Sequence, residues 1–170
     1  GSAFNDAYRY VDWLLTVPLL LLELVLVMRL SKKDTYSKGI KLAVASALMV
    51  ILGYPGEVAA TGEERWLWWT AAMIPFFYIV KELIIGLGAS INSQPTSVRG
   101  LVANARTLTI LSWCFYPIVF ILPMLGIGAL ELGKINAAVQ VGYTIADVVA
   151  KAGFGVMIYM IAQRKSDAGA

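Results

Sequence analysis

QVGYTIADVVAKAGFGVMIYMIA, from Gln140 to Ala162, decides the fold. The run has the length of a bilayer-spanning helix, about 20 apolar residues. Two ionisable residues interrupt it, Asp147 and Lys151. Residues at that spacing share one helix face, about one turn apart. Lys151 lies near the middle of the run, roughly 15 Å or more from either end, too deep for its stem to carry the charge to the surface. A mid-membrane lysine costs at least about 2.5–3.5 kcal/mol and is rarely retained without use. Two readings stand. One is a structural ion pair between neighbouring helices. The other is an amine held in a dry pocket beside a carboxylate, suited to Schiff-base chemistry.

The composition sets the class. The chain has 170 residues and is 59% hydrophobic, with a mean hydropathy of +0.72. Several apolar runs of spanning length in so short a chain indicate a polytopic membrane protein. A single cysteine rules out an intrachain disulfide. The absence of histidine removes the usual metal ligand and the usual general base, and no metal site is expected. The net charge of +3 is modest and the basic residues are dispersed, so no nucleic-acid partner is expected. Nothing resembles a signal peptide, and Gly1-Ser2 reads as a cloning remnant or native loop. No nucleophile–base pair supports enzymatic catalysis.

The apolar runs predict five spans in one transmembrane domain covering residues 1–170: Asn5 to Leu30, Gly39 to Tyr54, Trp66 to Leu87, Leu101 to Met124 and Ile135 to Ile161. Pro55-Gly56, Thr61-Gly62, Asn92 to Thr96 and Gly126 to Gly133 mark the connections. Basic residues gather at the first connection (Arg29, Lys32, Lys33, Lys38, Lys41), around the third (Lys81, Arg99, Arg106) and in the tail (Arg164, Lys165). Glu57, Glu63, Glu64 and Glu131 lie on the opposite side, with Arg65 and Lys134. Positive loops stay in the cytoplasm. The chain is therefore expected to be a multi-pass protein of the cell membrane, with its amino end outside and its carboxyl end cytoplasmic.

The first span, RYVDWLLTVPLLLLELVLVMRL from Arg9, is a second centre of charge. Arg9, Asp12, Thr16 and Glu23 fall near one face of a helix of period about 3.6. In the bland reading, Arg9 and Asp12 pair at an interface and Glu23 is a buried acid that desolvation keeps protonated. A neutral inner acid and an ionised outer acid, separated by about 16 Å of helix, also make a proton relay. Pro18 sits mid-helix, which a packed membrane bundle tolerates. Lys81 and Glu82, on the inner half of the third span, are expected to form an interface pair.

RYVDWLLTVPLL together with ADVVAKAGFGV closely resembles the microbial rhodopsins, and LGYPGE resembles their xanthorhodopsin and proteorhodopsin branch of outward proton pumps. The resemblance covers all five spans as helices C to G of an all-α, seven-transmembrane-helix fold. It implies all-trans retinal bound as a Schiff base on Lys151. It further implies Asp12 as counterion and proton acceptor, Asp147 as second counterion and Thr16 as the hydroxyl neighbour of Asp12. Glu23 is then the cytoplasmic proton donor, and Arg9 the arginine beneath the counterions. The retinal pocket carries over to Trp13, Val17, Leu20, Met49, Gly53, Ala72, Met73, Phe76, Trp113, Tyr116, Pro117 and Phe120. Sodium- and chloride-pumping relatives differ at the Asp12–Thr16–Glu23 set, which argues against both.

Two departures stand out. Helices A and B are not represented, nor is the helix-B histidine of this branch; that segment was lost, lies on another chain, or lies outside these 170 residues. Trp69 occupies a helix-E position where carotenoid-binding relatives have glycine, so no carotenoid antenna is expected. The expected function is a light-driven outward proton pump. The alternatives are a sensory rhodopsin photoreceptor and a non-photoactive helical membrane subunit. The expected partners are the lipid bilayer, protons and further copies of the chain.

Overall fold

The computed structural model describes residues 6–125 and 132–167, which are helical apart from short connections. Helix α1 runs over Ala7–Val27 and α2 over Lys32–Val58. Helix α3, Gly62–Lys81, continues as a π turn over Glu82–Gly86. The short α4, Gly88–Asn92, precedes α5, Thr96–Ile121, and a 3-10 turn at Pro123–Leu125. Helix α6, Leu132–Val148, passes through a second π turn, Val149–Gly153, into α7, Phe154–Asp167.

The helix starts follow from local chemistry. Ser31 caps α2 by accepting the Asp34 amide at 3.1 Å. Thr61 caps α3 by accepting the Glu64 amide at 3.2 Å. Glu63 and Glu64 occupy the first turn of α3, where negative charge is favoured by the helix dipole. Between α1 and α2 the chain reverses through Arg29, whose φ of 48° is left-handed, a conformation that costs a non-glycine residue about 1 kcal/mol or more.

Two expected boundaries are corrected. Helix α2 begins at Lys32, seven residues before Gly39, because Ser31 caps it there. It also runs through Pro55-Gly56 to Val58 rather than turning at that pair. A proline removes one backbone bond, which a packed membrane helix tolerates; Pro18, Pro75 and Pro117 likewise lie inside helices. Of the connection expected at Gly126 to Gly133, residues 126–131 lie outside the described residues, and Leu132-Gly133 already belong to α6.

Among the described residues, four stretches are long and apolar enough to cross a membrane: Ala7–Val27, Lys32–Val58, Gly62–Asn92 and Gln140–Asp167. The remaining long helix, α5, spans 26 residues but falls outside this set, since Arg99, Asn104 and Arg106 interrupt its amino half. The helices expose large apolar side chains, among them Leu15, Leu19, Ile74, Phe77, Ile145 and Val156. Helices with apolar outer faces are the form a chain takes when lipid is the solvent.

The chain divides into two compact units, one ending at Leu87 and one beginning at Gly88. In the first, α2 packs against both α1 and α3, and Leu21, Leu24, Leu42, Ile79 and Leu83 are buried almost completely. Gly53 lets α1 approach: a Cβ there would stand 3.3 Å from the Tyr10 ring. In the second, α5 packs on α7, with Val98, Val102, Ala105, Phe154 and Ile161 at the centre.

Candidate functional site

In the second unit, Lys151 sits in the middle of the π turn that joins α6 to α7. A π turn inserts an extra residue into a helix and recurs at functional sites. Lys151 Nζ lies 3.8 Å from Asp147 Oδ2, with both side chains about a quarter exposed. Asp147 has a second partner: the Tyr116 hydroxyl donates to its Oδ1 at 2.5 Å. Tyr116 is held in turn by stacking on Tyr143, with ring centroids 5.7 Å apart and planes 10° from parallel. Tyr143 is buried, as is Trp113, while Pro117 and Phe120 are half-buried. The amine is thus paired along its own helix, and the carboxylate that pairs it is oriented by a tyrosine from α5.

Sequence reading placed Tyr116 in the pocket but not on Asp147, and did not single out Tyr143. The signal for Tyr143 was its position one turn before Asp147, on the same helix face. Nothing in the local sequence marks the π turn.

In the first unit, α1 carries Arg9, Asp12, Thr16 and Glu23. Arg9 Nη1 forms an ion pair with Asp6 Oδ1 at 3.1 Å, and its guanidinium lies 5.8 Å from the centre of the Trp13 ring. The Thr16 hydroxyl donates to the backbone carbonyl of Asp12 at 2.8 Å. Asp12 and Glu23 lie on the outer face of α1, while Leu21, Leu24 and Val25 take its inward face. Of the remaining pocket residues in this unit, Val17, Ala72, Met73 and Phe76 are buried, and Trp13, Leu20, Met49 and Gly53 are half-buried. Trp69 is half-buried and meets Trp66 edge to face at 5.6 Å.

A polar cluster that sequence reading did not assemble ties the three helices of this unit together. Glu57, in the last turn of α2, accepts the Tyr10 hydroxyl from α1 at 3.3 Å and lies 3.9 Å from Arg65 of α3. Tyr10 also meets Tyr54 edge to face at 5.3 Å. The expected Lys81–Glu82 pair is likewise corrected: Glu82 forms its ion pair with Lys38 of α2 at 2.5 Å, while Lys81 is exposed. Successive helical residues point about 100° apart and do not face each other.

Known proteins share the sequence pattern and the fold. Residues 2–164 match the bacteriorhodopsin-like protein family. The solved structure of xanthorhodopsin, described as a light-driven ion pump with dual chromophore, superimposes with a TM-score of 0.90 at 50% identity, covering 98% of this chain and 66% of that one. A thermophilic rhodopsin structure matches at 43% identity with a TM-score of 0.90, over 99% of this chain and 66% of that one. Archaerhodopsin-2 of Halobacterium sp. (strain aus-2) is 34% identical over 159 residues, 93% of this chain but 58% of that protein. The chain therefore spans about three-fifths of the length of that curated relative. Both the expected all-helical membrane fold and the extent of these matches agree: the chain belongs to the bacteriorhodopsin-like family of microbial rhodopsins.

Proposed function

We propose that this chain forms part of a light-driven outward proton pump that holds all-trans retinal covalently on Lys151. The observation that carries the reading is the Lys151–Asp147–Tyr116 constellation, an amine 3.8 Å from a carboxylate oriented by a hydroxyl at 2.5 Å. Its donor set fits the cofactor. A lysine amine is the group that bonds an aldehyde, an adjacent carboxylate balances the resulting cation, and Trp113, Tyr116, Pro117 and Phe120 offer apolar and ring surface in the same unit. Bound there, retinal supplies light absorption and a change of shape that moves a proton at the attachment point.

The chain's own residues supply the rest. Asp147 keeps positive charge stable at Lys151 Nζ, and Tyr116 keeps Asp147 aimed at it. Asp12 is the carboxylate that takes the proton outward, Glu23 the one that returns a proton from the cytoplasmic side, and Arg9 orders the outer end. Xanthorhodopsin, the similar protein described as a light-driven ion pump, supports transport, and the two carboxylates on α1 favour protons as the cargo. The same reading places the chain in the cell membrane with its basic side cytoplasmic, and includes self-association. Unlike the dual-chromophore relative, it excludes a carotenoid antenna, because the Trp69 indole fills space beside α3.

The test is to express the protein in cells, supply all-trans retinal and illuminate. A visible absorption band and light-driven acidification of the medium, abolished by a protonophore, are expected. Lys151→Ala should lose both. A visible band retained in that variant removes the retinal assignment. A band without acidification leaves a photosensor.

A further inference from the structure

Away from the Lys151 site, a cleft of about 620 Å³ opens between α4 and the amino half of α5. Its polar lining is Asn92, Thr96, Arg99 and Arg106, and Gly88 and Gly100 also line it. Among the described residues, no carboxylate lines the cleft, and the arginines at this end donate to neutral oxygens. Arg99 Nη2 donates to the carbonyl of Gln94 at 3.2 Å, and Arg164 Nη1 to that of Ser97 at 3.2 Å. Lys165 donates to the side-chain oxygen of the buried Gln94 at 2.5 Å. Arg106 is half-buried, and its Nε is fully buried without a hydrogen-bond partner. The acids among the described residues of this unit are Asp147, which serves Lys151, and Asp167 in the last turn.

The cleft lies at the end of the apolar stretch Gly62–Asn92, and the ends of a membrane-crossing stretch meet the headgroup region. Basic pockets between helices at the cytoplasmic surface take anionic headgroups, and arginine forks match phosphate oxygens two at a time. We propose that this cleft binds the phosphate of an anionic phospholipid headgroup, with Arg99 and Arg106 as its two ligands. Asn92 and Thr96 add neutral donors at the rim. Charge and shape carry this assignment, and it does not depend on the light-driven reading.

The test is calorimetric titration of the protein in neutral detergent micelles with dihexanoyl phosphatidylglycerol, with dihexanoyl phosphatidylcholine and with inorganic phosphate. Phosphatidylglycerol should bind saturably, at least about tenfold more tightly than the other two. Arg99→Gln and Arg106→Gln should each weaken it about tenfold, whereas Lys81→Gln, on the exposed face of α3, should leave it unchanged. Unaltered helical circular dichroism shows that the variants fold. Arg99 is exposed, so its variant keeps the test open even where Arg106→Gln is unstable. Equal binding by wild type and Arg99→Gln overturns the site. Inorganic phosphate binding as tightly as the lipid overturns the headgroup as its ligand.

Discussion

Gly86→Ala would set a methyl group where the Glu82 side chain already lies. A Cβ at position 86 overlaps Oε1 and Cδ of Glu82 and stands 2.7 Å from Oε2. The overlap arises because Glu82–Gly86 is a π turn, closed by the Leu87 amide on the Glu82 carbonyl at 2.8 Å. The carboxylate must swing away, and it is the group that ties α3 to Lys38 of α2 at 2.5 Å. The two side chains are 22% and 25% exposed, between a solvated ion pair and a buried one. Breaking such a pair should cost about 1.5 kcal/mol. Alanine restores about 1 kcal/mol of helix propensity lost at a glycine. The single variant should therefore be destabilised by only about 0.5 kcal/mol, as the difference of those two terms. A double-mutant cycle separates them. In a Glu82→Ala background, Gly86→Ala has nothing to displace and should stabilise by about 1 kcal/mol. Unfolding of the four proteins in mixed micelles, followed by far-ultraviolet circular dichroism, should give a coupling of about 1.5 kcal/mol. Additivity to within about 0.5 kcal/mol would show that Glu82 does not lie over Gly86, and the reasoning fails.

Asp12→Asn should stop light-driven acidification and shift the visible band, since it removes the carboxylate on α1 proposed as the acceptor; acidification at the wild-type rate contradicts that role. Glu23→Gln should leave the band nearly in place while slowing recovery after a flash, and recovery as fast as wild type at every pH removes Glu23 as donor. Tyr116→Phe keeps the ring stacked on Tyr143 but takes the hydroxyl from Asp147, at about 1.5–3 kcal/mol for a hydrogen bond to a charged group. It should therefore lower thermal stability and move the band, and an unchanged spectrum would show that Asp147 is oriented by other groups. Trp69→Gly should cost about 2–3 kcal/mol for a half-buried indole and open a slot on α3. Excitation spectra with an added 4-keto-carotenoid should then show energy transfer in the variant alone, and transfer in the wild type defeats the argument.

The membrane class, the long helices and the Lys151–Asp147 pair were legible in the sequence, because each rests on relations within one helix. Hydropathy over a run sets whether a segment suits lipid, and a spacing of four residues sets one face whatever the segment packs against. The caps at Ser31 and Thr61 are equally local. Residues 1–170 read alone did not reveal that Tyr116 would hold Asp147, that Glu57 would gather Tyr10 and Arg65, or that Glu82 would reach back to Lys38. Each of these joins different helices, and periodicity says which face is available, not which neighbour meets it. The end of α2 also escaped local reading, since Pro55-Gly56 is a turn signal in water but a tolerated interruption in a packed membrane helix. The π turns at Glu82–Gly86 and Val149–Gly153 escaped for a related reason. An i→i+5 backbone bond uses the same residues as an α-helix, and only the fit of the flanking helix faces against their neighbours selects it.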